Sequence, residues 1–197
     1  MGDGSCGNSM RVAMWKAKEA SNDRKDIVGV EVGVDQGVHA CEILHDWKEL
    51  KTLHLVDNYS AKNISNHGDA RIKLQMFNDR VKWHLRPSLE AALSFDDNSL
   101  DFVYIDASHV FIDVLRDCIV WYKKVKVGGV LCGHDYRKDW VSLDKHSPTY
   151  INSYGVVNAV DKFIKCKNIE IEMDKKGNKL VLGTKTDGGS SDWWAIK

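Results

Sequence analysis

A strand-like run followed by a helix-like run recurs five times along the chain. That order restricts the fold to an α/β architecture: a mostly parallel sheet with helices on both faces, since parallel neighbours need crossover connections. The strand runs are Asp26–Val32, Leu53–Val56, Val81–Leu85, Leu100–Ile105 and Val130–Gly133. Each is rich in β-branched or apolar residues, with charge, glycine or a turn at its ends. Between them, residues 38–50, 69–80, 88–93 and 110–125 carry apolar residues at helical spacing, and Ser88 stands where a helix cap belongs. Residues 58–68 and 137–153 read as polar loops. Beyond the fifth strand the pattern predicts a helix over 155–165, strands at 169–173 and 179–183, and a last extended piece at 193–197. Residues 11–21 have helix-forming composition, with Val12, Met14 and Trp15 apolar. The division is an N-terminal extension over 1–25 and a single domain over 26–197.

Such sheets bind ligands beyond the carboxyl ends of their strands. The residues there are Glu31 with the following glycines, Asp57, Ser88, Asp106, and His134 with Asp135. Gly33 permits a tight turn after the first strand, and Gly37 lets the next helix begin close to a ligand. Asp57 ends the second strand, where an acid can accept both hydroxyls of a ribose. The first half therefore predicts an adenosine-type ligand. The GxGxxG fingerprint of nicotinamide cofactors is missing, and the spacing Glu31–Gly33–Gly37 suits a ligand without a pyrophosphate. The Glu31 carboxylate is placed to meet an amino group.

Composition narrows the classes further. Lys+Arg and Asp+Glu both number 28 in 197 residues, which argues against binding to nucleic acid or an anionic membrane by bulk charge. No apolar run has the length of a membrane span, and the first residues have no signal-peptide pattern. The five cysteines, Cys6, Cys41, Cys118, Cys132 and Cys166, show no CxxC pair. Most read as small core residues of a cytoplasmic protein rather than a disulfide framework.

The sequence resembles the class I S-adenosylmethionine-dependent methyltransferases. The likeness is closest to small stand-alone members with an Ile-Asp-x-x-His segment, here Ile105–His109, and a Gly-Gly-x-x-x-x-His-Asp-Tyr segment, here Gly128–Tyr136. Asp117–Trp121 is similar to the family's Asp-x-x-x-Trp helix, Gly155–Phe163 to its late helix, and Trp193–Lys197 to its terminal Trp-Trp strand. The resemblance implies a Rossmann-like fold with a mostly parallel seven-stranded sheet and a C-terminal antiparallel strand. It implies that Glu31, Gly33 and Gly37 line the methionine end of S-adenosylmethionine, with Asp35 in the same cofactor-binding turn. Asp57 would hold the ribose, Ser88 would contact adenine, and Asp106 would lie at the methyl-transfer centre.

Asp106, His109, His134 and Asp135 converge at neighbouring strand ends and leave two readings open. In one, Asp106 and Asp135 hold a magnesium ion that lowers the pKa of an acceptor hydroxyl. Ser108 and Tyr136 stand where metal-dependent O-methyltransferases often carry further acids or amides, and this weakens that reading. In the other, His109 or His134 is the general base and no metal is needed. Tyr136, Trp140 and the loop with Arg137, Lys138, His146 and Tyr150 are the candidates for recognising a small-molecule or sugar acceptor. O-methylation is the expected reaction. The rivals are a nicotinamide-dependent oxidoreductase, against which the missing Tyr-x-x-x-Lys pair also speaks, and a non-catalytic module binding S-adenosylmethionine. A Pro-Pro-Tyr base clamp is missing, so no nucleic-acid partner is expected, and nothing suggests a membrane partner. The leading helix and Trp-rich tail leave a homodimer open.

Overall fold

The computed structural model describes residues 10–22, 24–60, 63–136, 148–167, 172–173, 179–180 and 192–197. The strands are β1 (Ile27–Val32), β2 (Leu50–Val56), β3 (Val81–His84), β4 (Leu100–Ile105), β5 (Val125–Gly133), β6 (Glu172–Met173), β7 (Lys179–Leu180) and β8 (Trp193–Ile196). The helices are α1 (Val12–Ala20), α2 (Val38–Asp46), α3 (Ile64–Lys73), α4 (Ser88–Ala92), α5 (Phe111–Lys124) and α6 (Pro148–Lys167). The main sheet runs β3-β2-β1-β4-β5-β8, with β8 alone antiparallel, paired to β5. Its order reverses between β1 and β4, and that switch opens a crevice at their carboxyl ends.

Among the described residues the main sheet has six strands, and the expected seventh is not confirmed. Among the described residues β6 and β7 pair with each other, apart from the main sheet. β8 takes the free edge of β5 with Trp193 fully buried. Trp193–Ile196 is thus the expected C-terminal antiparallel strand.

Each sheet face carries its own core. Met14, Leu44, Trp47, Leu74 and Phe77 pack one face, and Ala91, Trp121, Val160 and Phe163 the other. Every residue of β4 is buried, as a central parallel strand requires. Its one acid, Asp101, is satisfied by Arg24, Lys126 and the Val28 amide. α1 lies on β4, β5 and β8 and buries Ala13, Met14 and Ala17, so the leading helix shares the domain core.

Several boundaries differ from the sequence expectation. α2 stops at Asp46, because Trp47 leaves helical geometry to stack on Phe102 with ring centroids 5.2 Å apart. β2 therefore begins at Leu50, paired with Ile27. The helix expected over 69–80 begins at Ile64, within the expected loop, and ends at Lys73. Of the apolar residues expected on it, Ile72, Leu74, Met76 and Phe77, Leu74 and Phe77 are buried and Ile72 and Met76 are exposed. β5 starts at Val125 and bends at Gly128, whose φ is 79°. A Cβ at Gly129 would sit 2.6 Å from the Asp101 carbonyl oxygen, so glycine lets β5 approach β4 there. α6 begins at Pro148, a residue suited to a first helical turn, rather than at Gly155. Cys118 and Cys132 are free and buried as expected. Cys41 is disulfide-bonded, a correction: a single bridge needs no framework spacing. Among the described residues no helix is long and apolar enough to cross a membrane.

Candidate active site

A cavity of about 730 Å³ opens at the β1–β4 switch. Gly33, Asp35, Asp57, Ser88 and Asp106 all line it, so five of the sequence candidates share one wall. Gly33 has φ 87°, and a Cβ there would stand 2.0 Å from the Asp106 carbonyl oxygen. Glycine is thus what lets the β1 turn and the end of β4 meet. Asp57 Oδ2 accepts the amides of Val34 at 2.9 Å and Asp35 at 3.1 Å, and Oδ1 accepts the Tyr59 amide at 2.9 Å. Three backbone donors fix the carboxylate: two fill Oδ2, and one acceptor site remains on Oδ1 for a ligand hydroxyl. The Tyr59 hydroxyl donates to the Asp35 carbonyl at 2.9 Å and closes that side of the cavity.

At the other end, Ser88 does not cap α4. Its hydroxyl donates to Asp117 Oδ1 at 2.6 Å and accepts the Trp121 indole N–H at 2.8 Å. Asp117 and Trp121 are four apart on α5, hence on one helix face, which lets both reach the same hydroxyl. The Ser88 proton is thus spent on Asp117. Asp117 itself lines the cavity, and burial pushes its carboxyl pKa up to about 6 against the opposing Ser88 hydrogen bond.

Glu31 and Gly37 stand apart from the cavity wall. Gly37, with φ 71°, caps α2. Glu31 is buried one layer below, its Oε1 2.8 Å from His39 Nδ1. Burial raises the Glu31 pKa well above the carboxylate range and lowers that of His39 to about 3, so the neutral forms are favoured. Glu31 Oε2 and His39 Nε2 have no hydrogen-bond partner.

The rim joins the predicted catalytic residues. His109 Nε2 is 2.8 Å from Asp135 Oδ2, and His134 Nδ1 is 3.2 Å from Asp135 Oδ1 and 4.0 Å from Asp106 Oδ1. Burial opposes charge on Asp135, yet hydrogen bonds from His109 and His134 outweigh it and hold its pKa well below the usual range. The Asp135 hydrogen bond raises the His109 pKa, against burial. Ser108 takes the local turn, its hydroxyl 3.2 Å from the Val110 amide, so His109 is not the helix cap. Asp106 Oδ2 is held by Arg11, whose Nη1 lies 2.7 Å from it and 2.7 Å from the Tyr104 hydroxyl. Tyr136 is buried, its hydroxyl 2.6 Å from Asp161, and is therefore no acceptor platform: burial and a fixed partner replace that expectation. Arg137, Lys138, Trp140 and His146 lie outside the described residues.

Ligand atoms of Asp106, His134 and Asp135 lie within 4.8 Å of one another, as a metal site would need. The donor set nevertheless does not fit magnesium. One of its three donors is an imidazole nitrogen, whereas magnesium favours oxygen and water. One oxygen of each carboxylate is already engaged, by the Arg11 guanidinium on Asp106 and by His109 on Asp135.

Arg11, Asp117 and His39 escaped the sequence reading as site residues. Asp117 had a legible signal, the Asp117–Trp121 spacing. Arg11 had none, being 95 positions from its partner in a stretch that reads as an extension.

Comparison with known proteins places this geometry. A protein of Staphylococcus aureus assigned as a caffeoyl-CoA O-methyltransferase is similar in structure, with TM-score 0.68 and 11% identity over 98% of this chain and 86% of that one. An O-methyltransferase from Bacillus cereus in complex with SAH is similar at TM-score 0.61 and 16% identity, covering 98% and 84%. Spermidine synthase from Thermotoga maritima also matches, at TM-score 0.59 and 15% identity, covering 94% and 57%. At such identities these likenesses carry the fold alone. No curated protein sequence matches the chain. The family model of the methyltransferase domain, in contrast, matches residues 30–136, more than half of the chain and every residue on the cavity wall. The chain belongs to the methyltransferase-domain family.

Proposed function

We propose that this protein transfers a methyl group from S-adenosylmethionine to a hydroxyl oxygen of a small-molecule acceptor. The observation that carries the reading is the single cavity at the β1–β4 switch that Gly33, Asp57 and Asp106 line together. Asp57, through the acceptor site left on Oδ1, takes a ribose hydroxyl. Ser88 and Asp117 face the adenine end. The Gly33 turn, with Asp35, backs the methionine end, and the unpartnered Oε2 of Glu31 beneath it favours a nearby amino group. The fit of these residues is to a charged nucleoside without phosphate. Bound there, S-adenosylmethionine supplies a methyl carbon already activated by a positively charged sulfur.

The protein then has two tasks, alignment and removal of one proton. Asp106 marks the transfer centre at the end of β4. Neutral His109, its Nε2 2.8 Å from Asp135 Oδ2, offers its Nδ1 lone pair to the acceptor hydroxyl. As that proton leaves, the acceptor oxygen bonds the methyl carbon and the carbon–sulfur electron pair stays on sulfur. His134 lies against Asp135, 3.2 Å from its Oδ1, with Asp106 4.0 Å away. No step runs through a metal.

The test is transfer of labelled methyl from S-adenosylmethionine into a panel of hydroxylated small molecules and sugars. The reading expects label in an ether product and a His109→Gln variant about 10²-fold slower or worse. Label recovered only on nitrogen acceptors, or an unimpaired variant, contradicts it.

A further inference from the structure

We infer that Arg11 is the built-in counter-cation of the transfer centre and that it occupies the role a divalent metal would otherwise take on Asp106. The inference rests on the methyl-transfer reading for its purpose, but not for its geometry. Tyr104 and Asp106 are two apart along the end of β4, so they project to the same side. One guanidinium nitrogen meets both, at 2.7 Å from each. The residue that supplies it is held from three directions. The Met10 amide donates to Asp46 Oδ2 at 2.9 Å. The Ala13 amide donates to Asp192 Oδ2 at 3.0 Å. The Tyr104 hydroxyl lies 3.1 Å from Asp192 Oδ1, which closes the ring. Asp192 is buried, so the segment entering β8 clamps the start of α1 and aims Arg11 at the centre.

The consequence is electrostatic. A guanidinium stays charged at every working pH and pairs tightly with a carboxylate. A divalent ion on the remaining oxygen of Asp106 would face that fixed charge at short range, beside His109 and His134, and would lose the anionic pair that attracts it. Arg11 thus positions Asp106 and excludes the metal.

Manganese titration followed by electron paramagnetic resonance tests this, on protein with and without bound S-adenosylhomocysteine. The parent is expected to show no site tighter than millimolar. Arg11→Gln frees Asp106 and is expected to bind manganese at least tenfold more tightly, a gain that Asp106→Asn in the same chain abolishes. Arg11→Lys keeps the charge and is expected to keep the exclusion. One tight manganese site in the parent, lost in Asp106→Asn, overturns the inference, as does a folded Arg11→Gln variant with no gain. Should Arg11→Gln fail to fold, the parent titration still decides. If S-adenosylhomocysteine does not bind, the functional reading fails, while the manganese result on the ligand-free protein is still read independently.

Discussion

At the residue scale, placement in the fold decides which side chains are chemically usable. Asp117 shows this most clearly. Its carboxyl is buried and its pKa is raised to about 6, so the fold prefers it protonated. Its favourable contribution is therefore complete below about pH 4, the unfolded value, and fades as pH rises through 6. A shift of that size corresponds to about 3 kcal/mol. Asp117→Asn should then cost more stability at pH 4 than at pH 7, by up to that amount, in denaturant titrations at the two pH values. An equal cost at both would contradict the buried carboxyl. His109 makes the second residue-scale prediction. Its pKa is raised by Asp135, and the base must be neutral, so turnover should rise with pH through a value above the ordinary imidazole range. Asp135→Asn should move that rise to lower pH. Gly33→Ala should lose about 1–3 kcal/mol or more, because φ is positive and the added carbon would collide with the Asp106 carbonyl. Thermal unfolding reads that loss.

At the scale of elements, the leading helix is the instructive case. The sequence shows Val12, Met14 and Trp15 as an apolar set without saying which of them faces the protein. In the structure Met14 is fully buried and Trp15 is 41% exposed. Met14→Ala should therefore cost about 2–5 kcal/mol, and Trp15→Ala little, by chemical denaturation. Equal costs would mean that α1 does not lie on the sheet as described. The strands were legible because fully buried parallel strands read as continuous apolar runs, and Leu100–Ile105 coincides with β4. The bounds of the helix near residues 64–80 were not, because Ile72 and Met76 extend its apolar set while facing solvent. The end of α2 was missed for a related reason: Trp47 fits the helical spacing but buries its ring from outside the helix.

At the scale of the whole molecule, the site is a property of topology. The strand order brings Gly33, Asp57, Ser88 and Asp106 from four strand ends to one cavity, and their positions at strand ends are readable in the sequence. The hydrogen-bond partners of those residues are not. Ser88 with Asp117, and Asp106 with Arg11, depend on pairings 29 and 95 positions apart that leave no local pattern. For the same reason the start of the chain, linked through Ala13 to Asp192, reads as an extension in the sequence and becomes part of the site in the fold. The most direct measurement of the central claim is calorimetric titration of the purified protein with S-adenosylhomocysteine, compared with Asp57→Ala. Micromolar binding to the parent, weakened at least tenfold (about 1.4 kcal/mol) in the variant, is the predicted result. No binding to the parent, or equal binding by both proteins, would contradict the account.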